Sequence, residues 1–253
     1  MQQYFINQIT HTGDIVKLNE EQSHHILHVL RMRDGDRIRI ADTSEQMFFS
    51  SVSIEGKQVT AYIEQSIKDH TKGSVHITLA QGLIKKEKWD FLLQKSAELG
   101  VDEILPFISS RTVVKSKEEK ADKKQQRYEK ILLEACEQCK RSSKVLLHPT
   151  VSFRELTHKT ADLKLIAYED ADQKSDALYD VVAQFPAAKN IIVAIGSEGG
   201  FSEEEVAYLE AAGYQRVSLG ARILRAETAA MTVLAQLSFF YDHQGVNTIE
   251  NNL

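Results

Sequence analysis

The sequence predicts an α/β protein in two parts: a small β-rich domain, then a mostly parallel sheet with helices on both faces. Three observations carry that prediction. Before residue 70, apolar residues alternate with polar ones at the period of half-buried strands. After residue 74, short apolar runs alternate with longer stretches of helical spacing, which is how parallel strands joined by helices read. Between them, residues 68–74 are polar and contain Gly73, as a linker does. The expected domains are residues 1–70 and 74–253.

In the first part, Asn19 followed three positions later by Gln22 forms a capping-box pattern, and Glu20 and Glu21 suit the positive end of a helix. A helix over residues 20–30 is expected, with Ile26, Val29 and Leu30 as its apolar positions. Asp34-Gly35-Asp36 then breaks the chain. Strands follow at 37–40, 47–54 and 58–63, with Gly56 marking the turn between the last two.

In the second part, strands are expected at 75–80, 104–107, 145–147, 163–168, 191–195 and 216–219. A helix over 86–99 shows Trp89, Leu92, Leu93, Ser96 and Ala97 on one face and stops at Gly100. A helix over 127–141 contains both cysteines, Cys136 and Cys139. Their spacing invites a redox reading, but they sit inside a helix rather than at a strand-to-helix turn. Two cysteines are also too few for a disulfide framework or the usual four-ligand zinc site. No metal is expected.

The chain has 253 residues, 42% hydrophobic and 26% charged, which suits a folded core and excludes a disordered chain. The longest apolar runs are far shorter than a membrane span, and the N-terminus lacks a signal-peptide layout, so a cytoplasmic protein is expected. The net charge of −5 argues at first against a nucleic-acid partner. However, residues 111–144 carry 11 basic and 6 acidic groups, net +5, and RNA binding needs only a local basic surface.

The most informative stretch is the end of the 191–195 strand. It runs into Gly196-Ser197-Glu198-Gly199-Gly200-Phe201, and Ser202 with Glu205 caps the next helix, which Gly213 ends. Three glycines between strand and helix let backbone N–H groups approach a ligand. The loop lacks the dinucleotide and phosphate-loop patterns, so a tight structural turn is the alternative. The next strand has the same design. It reaches Gly220, then Ala221-Arg222-Ile223-Leu224-Arg225-Ala226-Glu227-Thr228, and a long helix follows with Ala230, Val233, Leu234, Leu237 and Phe240 at helical spacing. Arg222, Arg225 and Glu227 would stand at the carboxyl edge of the sheet, where ligands of such sheets dock.

Those two loops resemble the signature loops of the RsmE family. Its members are SPOUT-class methyltransferases that modify N3 of a uridine in the decoding region of 16S ribosomal RNA. The likeness extends upstream to His25-Ile26-Leu27-His28-Val29-Leu30-Arg31 with Gly35-Asp36, which resembles the family's PUA-like β-barrel. It continues at Gln94-Lys95 with Glu98-Leu99-Gly100, at Ser110-Arg111-Thr112-Val113-Val114-Lys115, and at Glu134-Ala135 with Glu137-Gln138. Two positions depart from the family pattern: Ser197 replaces a common proline, and Ala226 stands where threonine is frequent. Both are small residues, so the loops are expected to keep their course.

The resemblance implies a SPOUT-type sheet with a C-terminal trefoil knot, S-adenosylmethionine as cofactor and a homodimer. Dimer contacts would come partly from the helix over 227–241, with burial inside its own subunit as the alternative. Gly196, Ser197, Glu198, Gly199, Leu219, Gly220, Ile223, Leu224, Arg225 and Thr228 would surround the cofactor. Uracil N3 carries a proton that must leave, so three catalytic candidates follow. Arg225 would stabilise charge on a uracil carbonyl. Glu198 would accept the proton, with Glu227 as its rival, unless these carboxylates serve as helix-end caps or as partners of Arg222. The RNA would be gripped by Arg31, Arg33, Arg111, Lys115, Arg127 and Arg141. Other classes considered are a non-catalytic ribosome-assembly factor and a SPOUT enzyme acting on transfer RNA ribose. A nicotinamide-dependent oxidoreductase fits the alternation but lacks the fingerprint.

Overall fold

The computed structural model of the protein describes residues 1–112, 121–169 and 175–246. Contacts divide it into two compact units. One comprises Met1–Lys72 with Cys136–Lys144, and the other Gly73–Ala135 with Val145–Leu253.

The first unit is a mixed half-barrel of five strands in the order β1-β3-β4-β5-β2. These are β1 (Gln3–Phe5), β2 (Ile15–Lys17), β3 (Arg37–Ala41), β4 (Met47–Glu55) and β5 (Gln58–Ile67). Strands β4 and β5 form a hairpin whose turn holds Gly56 at φ +61°, a conformation glycine adopts without strain. Ile38, Ile40, Phe48, Val52, Val59, Ala61 and Ile63 point inward from alternate positions and make the core. Asn19 and Gln22 exchange the two bonds of the capping box, starting α1 (Glu20–His24). The expected single helix over 20–30 is then wound more loosely, as a π-turn over His25–Val29. It stops at Arg31, which adopts a left-handed φ of +53°.

Residues 136–144 belong to this unit because the sheet binds them. Gln3 Nε2 donates to the Arg141 carbonyl at 2.6 Å, and Lys144 Nζ to Asn7 Oδ1 at 3.2 Å. Cys136 and Cys139 lie at the end of α3 (Ala121–Cys139), Cys136 buried and Cys139 half-buried.

The second unit is an all-parallel sheet of eight strands in the order β11-β13-β10-β12-β6-β7-β8, with β9 also paired to β7. Its members are β6 (His76–Gly82), β7 (Glu103–Ile108), β8 (Leu146–Leu147), β9 (Val151–Ser152), β10 (Leu163–Ala167), β11 (Asp176–Ala177), β12 (Asn190–Ile195) and β13 (Gln215–Ser218). Strand β12 is central, and Ile191–Ile195 are all buried, as expected for a strand covered on both faces. On α2 (Lys86–Glu98) the buried face is the expected one, Trp89, Leu92, Leu93, Ser96 and Ala97. Burying each large side chain there stabilises the fold by about 1.5–3 kcal/mol. The remaining helices are α4 (Leu178–Val182), α5 (Glu203–Ala211) and α6 (Ala226–Val246). Ala230, Val233, Leu234 and Leu237 of α6 are fully buried within the unit, while Phe239 is exposed. None of the described helices is long and apolar enough to cross a membrane.

Candidate active site

Strands β13, β10 and β12 lie side by side, and their carboxyl ends open into one cleft of about 430 Å³. Residues 195–201, from the end of β12 onward, form one wall, and residues 217–220 and 222–226, from the end of β13 onward, form another. Ala167, Tyr168 and Glu169 at the end of β10 lie between them, and Lys88 of α2 and Arg111 complete the rim.

The first loop is shaped by contacts that admit no side chain at Gly196, where a Cβ would lie 2.9 Å from Gly200 Cα, or at Gly199. A Cβ on Gly199 would lie 2.9 Å from Arg111 Cβ and 3.0 Å from the Arg111 carbonyl oxygen. Arg111 Nη1 donates to the Gly199 carbonyl at 3.3 Å, and Ser197 Oγ donates to the Arg111 carbonyl at 3.2 Å. Gly200, at φ +66°, donates its N–H to the Ser197 carbonyl at 2.9 Å, closing the turn. The expected box is present: Glu205 N–H donates to Ser202 Oγ at 3.2 Å, and Ser202 N–H to Glu205 Oε2 at 3.0 Å. Glu205 is 8% exposed, yet its other oxygen accepts from Ser110 N–H at 2.7 Å. Such bonds replace the water that a buried carboxylate loses.

Glu198 is exposed and lines the cleft, and its Oε1 accepts the backbone N–H of Lys85 at 3.0 Å. Lys85 is the N-cap residue of α2, so Glu198 serves a helix N-terminus whose N–H groups lack internal partners. The second loop turns at Gly220, at φ +123°, and exposes Ala221, Arg222 and Ile223. Ile223 is 83% exposed, an unusual setting for a large apolar side chain at a cleft. Lys88, Arg111, Arg222 and Arg225 stand around the cleft with the carboxylates Glu169 and Glu198; Lys88 is paired with Glu227 outside the lining, and the arginines make the rim attractive to anionic groups.

Nine of the ten residues expected around a cofactor line this cleft. Thr228 does not; it is exposed on the first turn of α6, where its carbonyl accepts from Thr232 Oγ1 at 2.8 Å. Arg225 and Glu198 line the cleft, whereas Glu227 lies outside its lining and pairs with Lys88 Nζ at 3.2 Å.

The expected RNA-binding residues have varied settings. Arg31 and Arg33 are exposed in the first unit, and Arg111 lines the cleft of the second. Arg127 is paired with Asp90 through both terminal guanidinium nitrogens. Arg141 is buried, 7% exposed, and Lys115 lies outside the described residues.

Sequence reasoning missed Lys88, Tyr168 and Glu169. The available signal for the latter two was position: they follow an apolar strand as Gly196 and Leu219 do, but without a glycine to draw the eye. Lys88 gave no signal, since its approach depends on how α2 packs.

The chain matches two family models, an RNA methyltransferase domain over residues 71–238 and an RNA methyltransferase PUA domain over residues 18–60. It is 31% identical to the ribosomal RNA small subunit methyltransferase E of Bacillus subtilis, across 94% of this chain and 96% of that protein. The protein of that name from Buchnera aphidicola of Schizaphis graminum is 29% identical across 92% and 94%. Among solved structures, the ribosomal RNA small subunit methyltransferase E of Neisseria gonorrhoeae bound to S-adenosylmethionine superposes with a TM-score of 0.86. It is 31% identical, with 95% of this chain and 98% of that chain covered.

Proposed function

Since this chain belongs to the RNA methyltransferase family that includes the ribosomal RNA small subunit methyltransferase E proteins, we propose that it methylates 16S ribosomal RNA. S-adenosylmethionine is the methyl donor and N3 of a decoding-region uridine the acceptor. One observation carries this reading: two glycine-turned loops and the end of β10 converge on a single cleft at the carboxyl edge of a parallel sheet.

The residues present fit the cofactor. The cleft lies within the roughly 300–1,000 Å³ typical of small-molecule sites. Val217, Leu219, Ile223 and Leu224 offer apolar surface for an adenine ring, and the glycine loops offer backbone groups for its polar edges. Gly196, Ser197, Glu198, Gly199, Leu219, Gly220, Ile223, Leu224 and Arg225 would hold it, with Thr228 behind them. When bound, the sulfonium supplies an electrophilic methyl group.

The chain's own residues do the rest. Holding donor and acceptor in line is worth up to about 7–11 kcal/mol of a bimolecular barrier. Arg225 stabilises negative charge on a uracil carbonyl oxygen. Glu198 accepts the N3 proton; its place on the cleft favours it over Glu227. N3 lies on the Watson–Crick edge, so the uridine is unpaired or turned out of its helix. Arg31, Arg33, Arg111, Lys115 and Arg127 supply phosphate contacts in this reading. Arg141 takes part only through the fold of the first unit.

The same reading includes residues 1–70 and 74–253 as the RNA-binding and methyltransferase domains, a threaded C-terminal segment, a cytoplasmic setting and a homodimer. The exposed Phe239 of α6 and the exposed Tyr179, whose ring packs edge-on against Phe240 at 5.9 Å, support an α6-centred interface.

Titration calorimetry with S-adenosylmethionine, followed by nucleoside mass spectrometry of 16S RNA treated with protein and cofactor, tests the proposal. Cofactor binding and 3-methyluridine are expected. No cofactor uptake points to a non-catalytic assembly factor, and a ribose-methylated nucleoside in transfer RNA to the other SPOUT chemistry.

A further inference from the structure

Strand β6 ends in Gln81-Gly82, directly against the first loop of the cleft. Gln81 is fully buried, in register with Ile195 of β12 on one side and Pro106 of β7 on the other. Its Nε2 donates to the Gly82 carbonyl at 3.0 Å and the Gly196 carbonyl at 3.1 Å. Both partners are acceptors, so the amide must present its NH₂ to them; the opposite orientation would set oxygen against oxygen. With the nitrogen so committed, Gln81 Oε1 is buried with no hydrogen-bond partner among the described residues.

Stability alone would not choose this residue. A buried acceptor without a partner is destabilising; an apolar side chain of similar shape would remove that acceptor but would also take the amide donor from the Gly82 and Gly196 carbonyls, so the net effect on stability is small. The amide does something specific in exchange. Gly196 has no side chain, so its own torsions do little to fix the Gly196–Ser197 peptide, and contacts must hold it. A planar trans peptide points its N–H opposite to its C=O, so fixing the carbonyl fixes the Ser197 N–H as well. Gly82 packs against the same peptide, where a Cβ would fall 2.5 Å from Ser197 N.

We propose that Gln81 is a positioning residue for the cofactor loop: its carboxamide holds the Gly196–Ser197 peptide in the one orientation that binds S-adenosylmethionine. The inference rests on the cleft being the cofactor site. Gln81 does not line the cleft and touches no reacting atom; it acts through the backbone of Gly196. Removing it loosens the peptide, and cofactor binding must then supply the ordering.

The test compares Gln81→Met and Gln81→Leu with the wild-type chain by thermal unfolding, by calorimetry with S-adenosylmethionine, and by the KM for cofactor and for RNA. The expected result is an unfolding temperature close to wild type, with cofactor affinity weakened about tenfold or more and KM for RNA unchanged. A purely structural role moves stability, cofactor affinity and KM for RNA together, so a loss confined to the cofactor identifies positioning. Cofactor affinity within about twofold of wild type in a folded variant overturns the inference. Failure of both variants to fold also overturns it, because the amide would then serve the fold. A wild-type chain that takes up no cofactor refutes the cleft assignment itself, and with it the clasp.

Discussion

Lys88 Nζ lies 3.2 Å from Glu227 Oε2, and of the two only Lys88 lines the cleft. The pair joins α2 to the first turn of α6, with the Glu227 side chain only 13% exposed. A carboxylate so engaged is poorly placed to meet a substrate proton, whereas Glu198 faces the cleft. Glu198→Gln should therefore lower kcat by about 10²-fold or more, the usual contribution of a positioned proton acceptor. The glutamine can still accept from Lys85 N–H and keep the loop in place, so cofactor affinity should fall far less than kcat. Glu227→Gln should cost far less. Single-turnover methyl transfer from labelled cofactor measures both, and a larger loss in Glu227→Gln would move the role to Glu227.

Arg225 follows a different logic, because it would stabilise charge that develops only during reaction. Arg225→Ala should cut turnover by about 10²–10³-fold, the usual cost of removing such a donor. The dissociation constant for cofactor should rise far less than turnover falls. An unchanged rate at saturating RNA would remove Arg225 from the chemistry.

Gly199→Ala tests the close approach of two loops. The new Cβ would meet Arg111 Cβ and the Arg111 carbonyl oxygen, and a backbone atom cannot simply swing aside. Overpacking of this kind costs about 1–3 kcal/mol. Urea unfolding and calorimetry should show lower stability together with weaker cofactor binding. Wild-type unfolding in the variant would mean that the loops yield.

RNA affinity should fall with rising salt, since phosphate contacts release counterions. Replacing exposed Arg31 or Arg33 by alanine should flatten the plot of log affinity against log salt by about one unit each. Arg141→Ala should instead lower stability and leave the slope alone, because the side chain is buried. Filter binding over a salt series gives the slopes, and affinity indifferent to ionic strength would contradict phosphate recognition.

Glu103 supplies a pH test away from the cleft. Burial alone would raise its pKa, but hydrogen bonds and charge from His148 and then His76 outweigh burial and hold the carboxyl below its ordinary 4.5. His148 Nε2 stands 2.7 Å from one oxygen and His76 Nε2 3.1 Å from the other. The folded carboxyl thus binds a proton less readily than the unfolded one. Its contribution to stability is complete above about pH 4.5 and is lost as pH falls through the depressed value. The stability gap between wild type and Glu103→Gln should shrink as pH is lowered from neutral through that range. Scanning calorimetry at stepped pH follows the gap, and a constant gap would deny the coupling.

The elements legible in the sequence are those whose signals are local. Ser202 with Glu205 and Asn19 with Gln22 lie three positions apart, and the structure forms both boxes. The buried face of α2 follows from its 3.6-residue period, and the ligand loops from glycines at strand ends. Strands β1 and β2 were not legible. Each has three residues, too few to show a period, and each is a strand only because β3 or β5 lies beside it.

The sequence by itself determined the strand and helix pattern, the two loops and the identity of most residues that line the cleft. Only the tertiary structure decided the rest. Strand β10 lies between β12 and β13, which brings Tyr168 and Glu169 into the site. The packing of α2 against α6 joins Lys88 to Glu227. The Gln81 amide reaches Gly196 across 115 residues of chain, and Gln3 reaches Arg141 across 138. Short-range signals are set by neighbours within a turn or a strand. Contacts between distant residues depend on the order in which strands join a sheet, and no local pattern of side chains encodes that order.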